Sequence, residues 1–312
     1  MNKFAFVFPG QGSQSRGMMD GYSDFSVVQD TFVEASETLK QDLWKLAAAG
    51  TDAELNATVN TQPLMLTAGV AVFRAWQSLQ APMPHMLAGH SLGEYSALVA
   101  SGALRFSDAL PLVRYRAECM QQAVPEGGGG IAAILGLDDD TVRAVCAEAA
   151  QQEVLEAVNF NTPGQVVIAG DRAAVERGME LAKARGAKRA VMLPMSVPSH
   201  CSLLRGAAAK FGQYLQNIPF QTPSIPVIHN ADVASYSDIA AIKDALVRQL
   251  YSPVRWVETI QYFGKQGITH NVECAPGRVL LGLNKRIDSN QQALTLSDNT
   301  AFKTVLTALT GE

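Results

Sequence analysis

The chain has 312 residues, of which 47% are hydrophobic and 17% charged, and these proportions are ordinary for a folded globular protein. Its formal net charge of −4 gives no overall positive field to attract nucleic acid or an anionic membrane, so only a local basic patch could serve such a partner. The four cysteines show no C-x-x-C spacing, which argues against a zinc site or a disulfide framework and favours a reducing compartment.

The sequence also lacks the apolar segments that mark secreted and membrane proteins. The run Phe4–Phe8 is too short for the apolar core of a signal peptide. No stretch approaches the ~18 apolar residues that a membrane-spanning helix needs. We therefore expect a cytoplasmic protein with no nucleic-acid partner and no membrane partner.

Strands and helices alternate through the first part of the chain. Phe4–Phe8 has the continuous apolar pattern of a buried strand and is followed by the turn Pro9–Gly12. In chain order, the next predicted elements are helices at Val27–Leu39 and Leu64–Leu79, a strand at Met86–Ala88 and a helix at Ala109–Ala123. This alternation predicts a mostly parallel sheet covered by helices on both faces.

The pattern changes at four consecutive glycines, Gly127–Gly130, which we expect to form a flexible junction because glycine is costly to order. Beyond them, the elements follow the order β-α-β-β-α-β, which is that of a ferredoxin-like unit. They are Ile131–Leu135, Thr141–Ala150, Val154–Phe160, Val166–Ala169, Ala173–Arg185 and Ala190–Leu193. We interpret residues 125–196 as a small domain inserted into a larger one.

The larger domain resumes at Pro198 and again alternates helices with strands. Its predicted helices are Leu203–Leu215, Ile239–Leu250, Val257–Lys265, Val279–Lys285 and Phe302–Leu309, and its predicted strands are Pro226–His229, Ile268–Cys274 and Leu294–Leu296. The prediction is an α/β fold in two domains. Residues 1–124 and 197–312 form an α/β-hydrolase-like core with a mostly parallel sheet, and residues 125–196 form the ferredoxin-like small domain.

One motif suggests chemistry directly. Gly89-His90-Ser91-Leu92-Gly93 reads as G-x-S-x-G, the strained turn between a strand and a helix that exposes a serine oxygen at the top of an α/β sheet. Ser91 would lie at a helix N-terminus, where free N–H groups favour developing negative charge. The alternative is a serine that merely caps a helix, but the strand before it and the helix after it favour a nucleophile.

A serine nucleophile needs a neighbouring base, and the sequence contains five histidines. His200 lies where the small domain returns to the large one, and ligand sites favour such interdomain clefts, so His200 is the favoured base. The other four are His85, expected at the far end of the sheet, His90, expected to point away from the adjacent serine, and His229 and His270, expected to reach the strand tips.

The order of these residues disfavours a simple esterase. An ordinary α/β-hydrolase has its serine first, then an acid, and then a histidine close to the C-terminus. Here more than a third of the chain follows His200, and no well-placed acid stands out between Ser91 and His200.

Five motifs occur in order along the chain: F-P-G-Q-G-S-Q at 8–14, G-H-S-L-G-E-Y-S-A at 89–97, N-F-N-T-P-G-Q at 159–165, V-P-S-H-C at 197–201 and R-Q-L-Y-S-P-V at 248–254. With them, the chain resembles the malonyl-CoA:acyl carrier protein transacylases from Phe6 to about Arg286. A chance match to one motif would mean little, but all five occur in order and on the predicted elements.

The resemblance implies a Ser–His dyad of Ser91 and His200, in which the backbone carbonyl of Gln249 orients the imidazole. A neutral carbonyl can fix the imidazole tautomer by accepting its second N–H, which would explain the missing acid. Without the resemblance, Gln249 would be interpreted as a solvated glutamine near a helix end. The resemblance also implies an oxyanion hole formed by the backbone N–H groups of Leu92 and Gln11.

The resemblance further implies substrate-binding residues. Arg116 matches the arginine that binds the malonyl carboxylate, and a guanidinium suits this task because it can make two parallel hydrogen bonds to a carboxylate. The alternative is a solvated arginine on an amphipathic helix. Asn161 and Gln165 match positions that line the same cleft, where turn chemistry beside Pro163-Gly164 is the alternative.

Taken together, these matches imply an acyltransferase. It would move the malonyl group from malonyl-CoA to the phosphopantetheine thiol of holo acyl carrier protein through a malonyl-Ser91 intermediate, for fatty-acid biosynthesis, without a metal or a bound cofactor. The alternatives are a trans-acting acyltransferase of a polyketide pathway, an acyl-thioester hydrolase and a non-catalytic carrier-binding module. The presence of Ser91, His200 and Arg116 together argues against the last.

Overall fold

The computed structural model describes residues 2–125, 127–194 and 197–311. Its strands are β1 (Phe4–Phe8), β2 (Met86–Gly89), β3 (Gly129–Leu135), β4 (Leu155–Thr162), β5 (Gln165–Asp171), β6 (Arg189–Met192), β7 (Val227–Ile228), β8 (His270–Glu273) and β9 (Gln292–Thr295). Its helices are α1 (Ser26–Leu39), α2 (Leu43–Ala49), α3 (Asp52–Asn56), α4 (Thr58–Ser78), α5 (Gly93–Ala100), α6 (Phe106–Gln121), α7 (Asp139–Ala150), α8 (Arg172–Ala184), α9 (Arg205–Gln216), α10 (Ile239–Gln249), α11 (Trp256–Lys265), α12 (Val279–Ile287) and α13 (Asn299–Thr310).

A five-stranded parallel sheet forms the centre of the fold, with the strand order β7-β2-β1-β8-β9. The neighbours β1 and β2 end together, because Phe8 is in register with Gly89. The loops after these two strands therefore meet at the carboxyl edge of the sheet, which is where α/β sheets carry their ligand sites. The predicted mostly parallel sheet is confirmed.

Both faces of the central strand β1 are buried, because its side chains are all apolar and point alternately into two hydrophobic cores. Phe4, Phe6 and Phe8 pack on one side with the aromatic side chains of α4, and the Phe6 and Trp76 ring centroids are 5.5 Å apart. Ala5 and Val7 face the opposite core, which includes Trp256. This two-sided burial explains the unbroken apolar run in the sequence.

The chain between α6 and α9 forms a second sheet of four strands, antiparallel throughout, with the order β4-β5-β3-β6. Helices α7 and α8 cover one face of this sheet with their own hydrophobic cluster. The other face, through Ile131, Val158 and Val167, packs against Cys201. The second sheet therefore closes over the segment that carries His200.

The expectation of a flexible junction is wrong for two of the four glycines. Gly129 and Gly130 are buried members of β3, in register with Asp171 and Gly170 of β5. A Cβ at Gly130 would lie 3.3 Å from Val175, so the close packing of α8 on β3 favours glycine there. Glu126, directly before the glycines, and Ser196, at the expected end of the small domain, lie outside the described residues.

The sequence analysis missed two short helices, α2 and α3. Both begin at side-chain caps: Asp42 accepts from the Lys45 N–H group, and Thr51 forms a capping box with Glu54. The T-x-x-E spacing was the signal that could have found α3. Helix α4 also begins earlier than predicted, because Pro63 lies inside it instead of ending it.

Three further observations concern the described residues. None of their helices is long and apolar enough to cross a membrane. Their histidines, cysteines, aspartates and glutamates form no group of three or more suited to holding a metal ion. All four cysteines lie in the described part of the chain as buried free thiols.

Candidate active site

Ser91 occupies a sharp turn between β2 and α5. Its φ angle is +51°, in the left-handed region that non-glycine residues rarely adopt. A Cβ at Gly89 would overlap the backbone of Gly93, and a Cβ at Gly93 would overlap the Phe8 carbonyl group. Both glycines of the motif are therefore needed for the turn to pack against itself and against β1.

Asn230 holds this turn from the neighbouring strand. Its Oδ1 accepts the Ser91 backbone N–H over 2.7 Å, and its Nδ2 donates to the Gly89 carbonyl over 2.6 Å. Asn230 follows β7, which pairs with β2, so strand order brings the two loops together. The strained φ of Ser91 is stabilised by these two side-chain hydrogen bonds.

Ser91 and His200 are in hydrogen-bond contact, with 2.8 Å between Ser91 Oγ and His200 Nε2. On the other side of the ring, His200 Nδ1 lies 2.7 Å from the Gln249 carbonyl oxygen. A carbonyl can only accept, so Nδ1 carries the proton and Nε2 is free to accept the serine proton. The arrangement is that of a nucleophile and its base.

Two features keep His200 neutral and in place. Burial lowers the pKa of its imidazole to about 3, and the positive charge of Arg116 acts in the same direction. The His200 backbone has a φ angle of +67°, and its N–H donates to the Leu250 carbonyl over 3.0 Å. The C-terminal end of α10 therefore fixes both the backbone and the ring of the histidine.

Leu92 and Gln11 lie on two loops that meet at the same corner of the sheet. Leu92 precedes the first turn of α5, and Gln11 follows β1, the strand next to β2. Gly10 permits the close approach of the two loops, because a Cβ there would lie 2.5 Å from the His90 carbonyl oxygen. Neither the Leu92 nor the Gln11 backbone N–H group donates to another residue in the described part of the chain.

Arg116 is a fully buried cation beside the nucleophile. Its Nη2 lies 3.3 Å from Ser91 Oγ and 2.9 Å from Gln249 Oε1, and its Nη1 lies 2.9 Å from Gln62 Oε1. Its Nε has no hydrogen-bond partner, and the guanidinium forms no ion pair with any residue that the structure describes. Burial lowers the pKa of Arg116, but a guanidinium does not lose its proton in proteins.

A cleft between the two sheets leads to Ser91 and His200. Its lining includes Gln11, His90, Ser91, Ile131, Asn159, Asn161, Val167, Leu193, Ser199 and His200. His90 thus faces the same cleft as the serine, and its Nε2 lies 2.8 Å from Asn161 Oδ1. Gln165 is not part of the lining; its Oε1 accepts from Arg286 at the surface.

The remaining histidines lie outside this cleft. His85 precedes β2 and lies at the amino edge of the sheet, as predicted, where its Nδ1 accepts from the Phe4 N–H. The expectation for His270 is wrong: it begins β8, in register with Phe4, and therefore lies at the amino edge too. His229 does reach the carboxyl edge, but its Nδ1 donates to Glu94 Oε1 over 2.7 Å beneath the turn.

Sequence reasoning missed four polar residues that contact Ser91, Arg116 or their immediate partners. They are Gln62, Glu94, His229 in its contact with Glu94, and Asn230. Glu94 follows the G-x-S-x-G motif directly, and Asn230 follows a predicted strand, so their positions gave a signal. Gln62 gave none, because it lies next to Pro63 in a stretch that was not predicted to be helical.

Known proteins are similar to this chain over nearly all of its length. A family model described as the acyl transferase domain matches residues 5–298. A malonyl CoA-acyl carrier protein transacylase of Salmonella typhimurium is 52% identical over 308 residues, covering 98% of this chain and 100% of that protein. The crystal structure of an acyl-carrier-protein S-malonyltransferase from Burkholderia pseudomallei is 58% identical with a TM-score of 0.96, covering 97% of this chain and 99% of its own.

A solved complex is also similar. It is described as a type II PKS acyl-carrier protein with its malonyl-transacylase, and the matching chain is 48% identical with a TM-score of 0.97 over 100% of both chains. The family model covers far more than half of this chain, and the relatives align with it from end to end. The chain therefore belongs to the malonyl-CoA:acyl carrier protein transacylase family.

Proposed function

We propose that this protein transfers the malonyl group from malonyl-CoA to the phosphopantetheine thiol of holo acyl carrier protein, for fatty-acid biosynthesis. The observation that carries the proposal is the buried Arg116 guanidinium, which lies 3.3 Å from the Ser91 oxygen and forms no direct ion pair with a carboxylate among the described residues. A buried charge without a partner is costly, and a substrate carboxylate would supply the missing ion pair. Malonyl is an acyl group that carries one.

In the first half-reaction, Ser91 Oγ attacks the thioester carbonyl while His200 Nε2 takes the hydroxyl proton. The carbonyl oxygen becomes an oxyanion that accepts hydrogen bonds from the Leu92 and Gln11 N–H groups. Losing one such donor typically costs ~10²–10³ in rate. The tetrahedral intermediate collapses, the C–S bond breaks, and coenzyme A leaves with the proton from His200.

In the second half-reaction, the carrier thiol gives its proton to His200 Nε2 and attacks malonyl-Ser91. The ester bond between the malonyl carbonyl carbon and Ser91 Oγ then breaks, and Oγ recovers the proton from His200. Through both halves, the Gln249 carbonyl keeps Nδ1–H of the imidazole in place. We propose no metal or bound cofactor, because every proton and bond is accounted for by these groups and the two substrates.

We further propose that Asn161 borders the route of the acyl and pantetheine groups, since it lines the cleft and holds His90. Gln165 would act at the outer rim, through its contact with Arg286. Residues 125–196 would form an inserted ferredoxin-like domain, and residues 1–124 and 197–312 the acyltransferase domain; the separate sheets and separate cores support this division. The buried free thiols support a cytoplasmic location.

A second candidate is malonyl transfer to the carrier protein of a polyketide pathway. The similarity over the whole chain to the malonyl-transacylase of the type II PKS complex favours it, and the chemistry would be the same. The two candidates are separated by comparing transfer from malonyl-Ser91 to fatty-acid and polyketide holo carrier proteins. The better carrier by kcat/KM identifies the pathway.

The central test is intact-mass measurement after addition of malonyl-CoA. A transferase accumulates one malonyl adduct, which peptide mapping should place on Ser91 and which holo carrier protein should remove. A hydrolase would release free malonate without carrier, and a binding module would form no adduct. Ser91→Ala should form no adduct while keeping the circular dichroism and melting temperature of a folded protein; an adduct on another residue of the wild type would refute the proposal.

A further inference from the structure

A buried polar cluster lies directly beneath the Ser91 turn, on the side away from the cleft. At its centre is the carboxylate of Glu94, which is completely buried on the first turn of α5. Oε1 accepts from His229 Nδ1 over 2.7 Å, and Oε2 accepts from the Asn230 N–H over 3.0 Å and from Gln249 Nε2 over 2.9 Å. Three donors thus converge on one carboxylate.

The Gln249 side chain connects this cluster to the reacting groups. Its Nε2 donates to Glu94 Oε2 and, over 3.0 Å, to the Ser91 carbonyl oxygen. Its Oε1 accepts from Arg116 Nη2 over 2.9 Å. Both ends of the amide are therefore used, with the NH₂ group towards two acceptors and the oxygen towards a cation.

The direction of that amide follows from the groups around it. A carboxylate has only acceptors and a guanidinium has only donors, so a glutamine between them can satisfy both in one orientation alone. Reversing the amide would place NH₂ against the Arg116 guanidinium and oxygen against Glu94. Glu94 forms no ion pair with Arg116 itself among the described residues, so it can influence the guanidinium's position only through the amide or through its charge at a distance.

We propose that Glu94 is a positioning residue that sets malonyl selectivity: by accepting Gln249 Nε2, it turns Gln249 Oε1 to hold the Arg116 guanidinium beside Ser91. The inference rests on the proposed function, because it assigns Arg116 to the substrate carboxylate. It adds a second role for Gln249, whose backbone orients His200 and whose side chain orients Arg116. The site has no acid in contact with His200. The buried acid Glu94 is instead linked to both His200 and Arg116 through one residue, Gln249.

The test uses the malonyl/acetyl selectivity, defined as kcat/KM for Ser91 acylation by malonyl-CoA divided by the value for acetyl-CoA. Glu94→Met removes all acceptors at similar volume, and we expect it to lower the selectivity at least about tenfold, equivalent to ~1.4 kcal/mol. In Glu94→Gln, the amide oxygen can keep the place of Oε2 with its NH₂ facing His229 Nδ1. We expect this variant to keep the selectivity within about threefold, because the Gln249 amide still has its acceptor.

Glu273→Met is the matched control. Glu273 is equally buried and also accepts two N–H groups, those of Leu280 and Leu281, but it lies on β8, and its bonds hold the start of α12. Its loss should lower the melting temperature and leave the selectivity unchanged. A merely structural role of Glu94 would give the same result as this control, with malonyl and acetyl rates falling together.

A double-mutant cycle gives an independent test. Gln249→Met keeps the backbone carbonyl that orients His200 and removes the side-chain amide with its bonds to Arg116, Glu94 and the Ser91 carbonyl. The malonyl/acetyl selectivity should fall, whatever the change in the absolute acylation rates. Glu94→Met should then add nothing to Gln249→Met, because both break the same link. If Glu94→Met does not fold, Gln249→Met alone tests the proposal. An unchanged selectivity in Gln249→Met would show that the Gln249 amide does not connect Glu94 to the position of Arg116.

Three results would overturn the proposal: an unchanged selectivity in Glu94→Met, a loss in Glu94→Gln as large as in Glu94→Met, or additive losses in the double variant. The second would mean that the Glu94 charge acts rather than the amide orientation. Failure of the proposed function is a separate result, seen in the wild type as no malonyl adduct or no preference for malonyl over acetyl.

Discussion

The Gln249 carbonyl oxygen lies 2.7 Å from His200 Nδ1, the place that a carboxylate takes in a Ser-His-Asp triad. A neutral acceptor fixes the tautomer as a carboxylate would, but it stabilises the charged imidazolium less. The nearby Arg116 cation acts further against that charge and lowers the pKa of His200. Both effects favour a neutral imidazole near pH 7, as the proposed role of general base requires.

His200→Ala should slow acylation of Ser91 by malonyl-CoA at least ~10²-fold, the loss in rate that is typical when a general base is removed. Rapid-mix mass spectrometry of the malonyl adduct measures this rate. The matched controls are His85→Ala and His270→Ala, which change the same residue type at the amino edge of the sheet. A loss at either control as large as that in His200→Ala would show that the histidine beside Ser91 is not the base.

The acylation rate should be nearly independent of pH on the acid side, changing by less than about twofold between pH 7.5 and 5. The base must be neutral to act, and burial lowers the pKa of His200 to about 3, so it stays neutral over this range. A histidine with the ordinary pKa of about 6.5 would lose about thirtyfold in rate. A rate that falls with a midpoint near 6.5 would contradict this expectation.

The lowered pKa of His200 also makes the free energy of unfolding depend on pH. The unfolded chain binds a proton at this histidine near pH 6.5, whereas the folded chain does not until about pH 3. The unfolded state binds more protons, so His200 makes the free energy of unfolding fall as the pH drops below about 6.5. Circular dichroism at each pH separates a slow folded enzyme from an unfolded one.

Arg116→Ala should weaken the use of malonyl-CoA strongly and that of acetyl-CoA far less, or even improve the latter. The substitution removes the partner of the substrate carboxylate and leaves the thioester chemistry intact. Arg116→Lys should restore activity only in part, because an ammonium lacks the planar fork that makes two parallel hydrogen bonds. The measurement is kcat/KM for both substrates, and equal losses for both would make Arg116 a structural residue.

Much of the fold could be predicted from local pattern. The unbroken run Phe4–Phe8 identified the central strand, and the glycines around Ser91 identified the turn, because each feature depends on neighbours in sequence. The position of His270 was mispredicted, since in a parallel sheet a residue at the start of a strand lies at the edge opposite to the site. Gly129 and Gly130 were mispredicted because their pairing with β5, and the packing of α8 against Gly130, are tertiary contacts.

The candidate site divides in the same way. The Ser91 motif and the location of His200 between domains could be seen in the sequence, but Arg116 and Gln249 entered only by family resemblance. A backbone carbonyl leaves no signature in residue type, so nothing local marks Gln249 as the partner of His200. The Asn230 bond to Ser91 spans 139 residues and depends on β7 lying next to β2, which the order of strands along the chain does not reveal.

Two basic pairs, Lys188-Arg189 and Lys285-Arg286, should steer the acidic carrier protein to the cleft, because the chain's net charge of −4 would otherwise repel it. Arg286 Nη2 donates to Gln165 Oε1 over 3.0 Å, and Gln165 and Arg189 both pair with Leu135, from opposite sides of β3. The Arg286 guanidinium therefore contacts a residue that lies two strand spacings, about 10 Å, from Arg189 across the second sheet. All four side chains are exposed, and none forms an ion pair within the described part of the chain.

Lys188→Glu combined with Lys285→Glu should raise KM for holo acyl carrier protein by about tenfold at low salt, while acylation of Ser91 by malonyl-CoA without carrier stays nearly unchanged. The control is Lys45→Glu with Lys303→Glu, which makes the same change in net charge at exposed positions on α2 and α13. The defect should shrink above 0.1 M salt, where exposed charges are screened over about 10 Å. If the control variant is equally impaired, net charge alone explains the effect; if the first variant transfers at the wild-type rate at low salt, the carrier docks elsewhere.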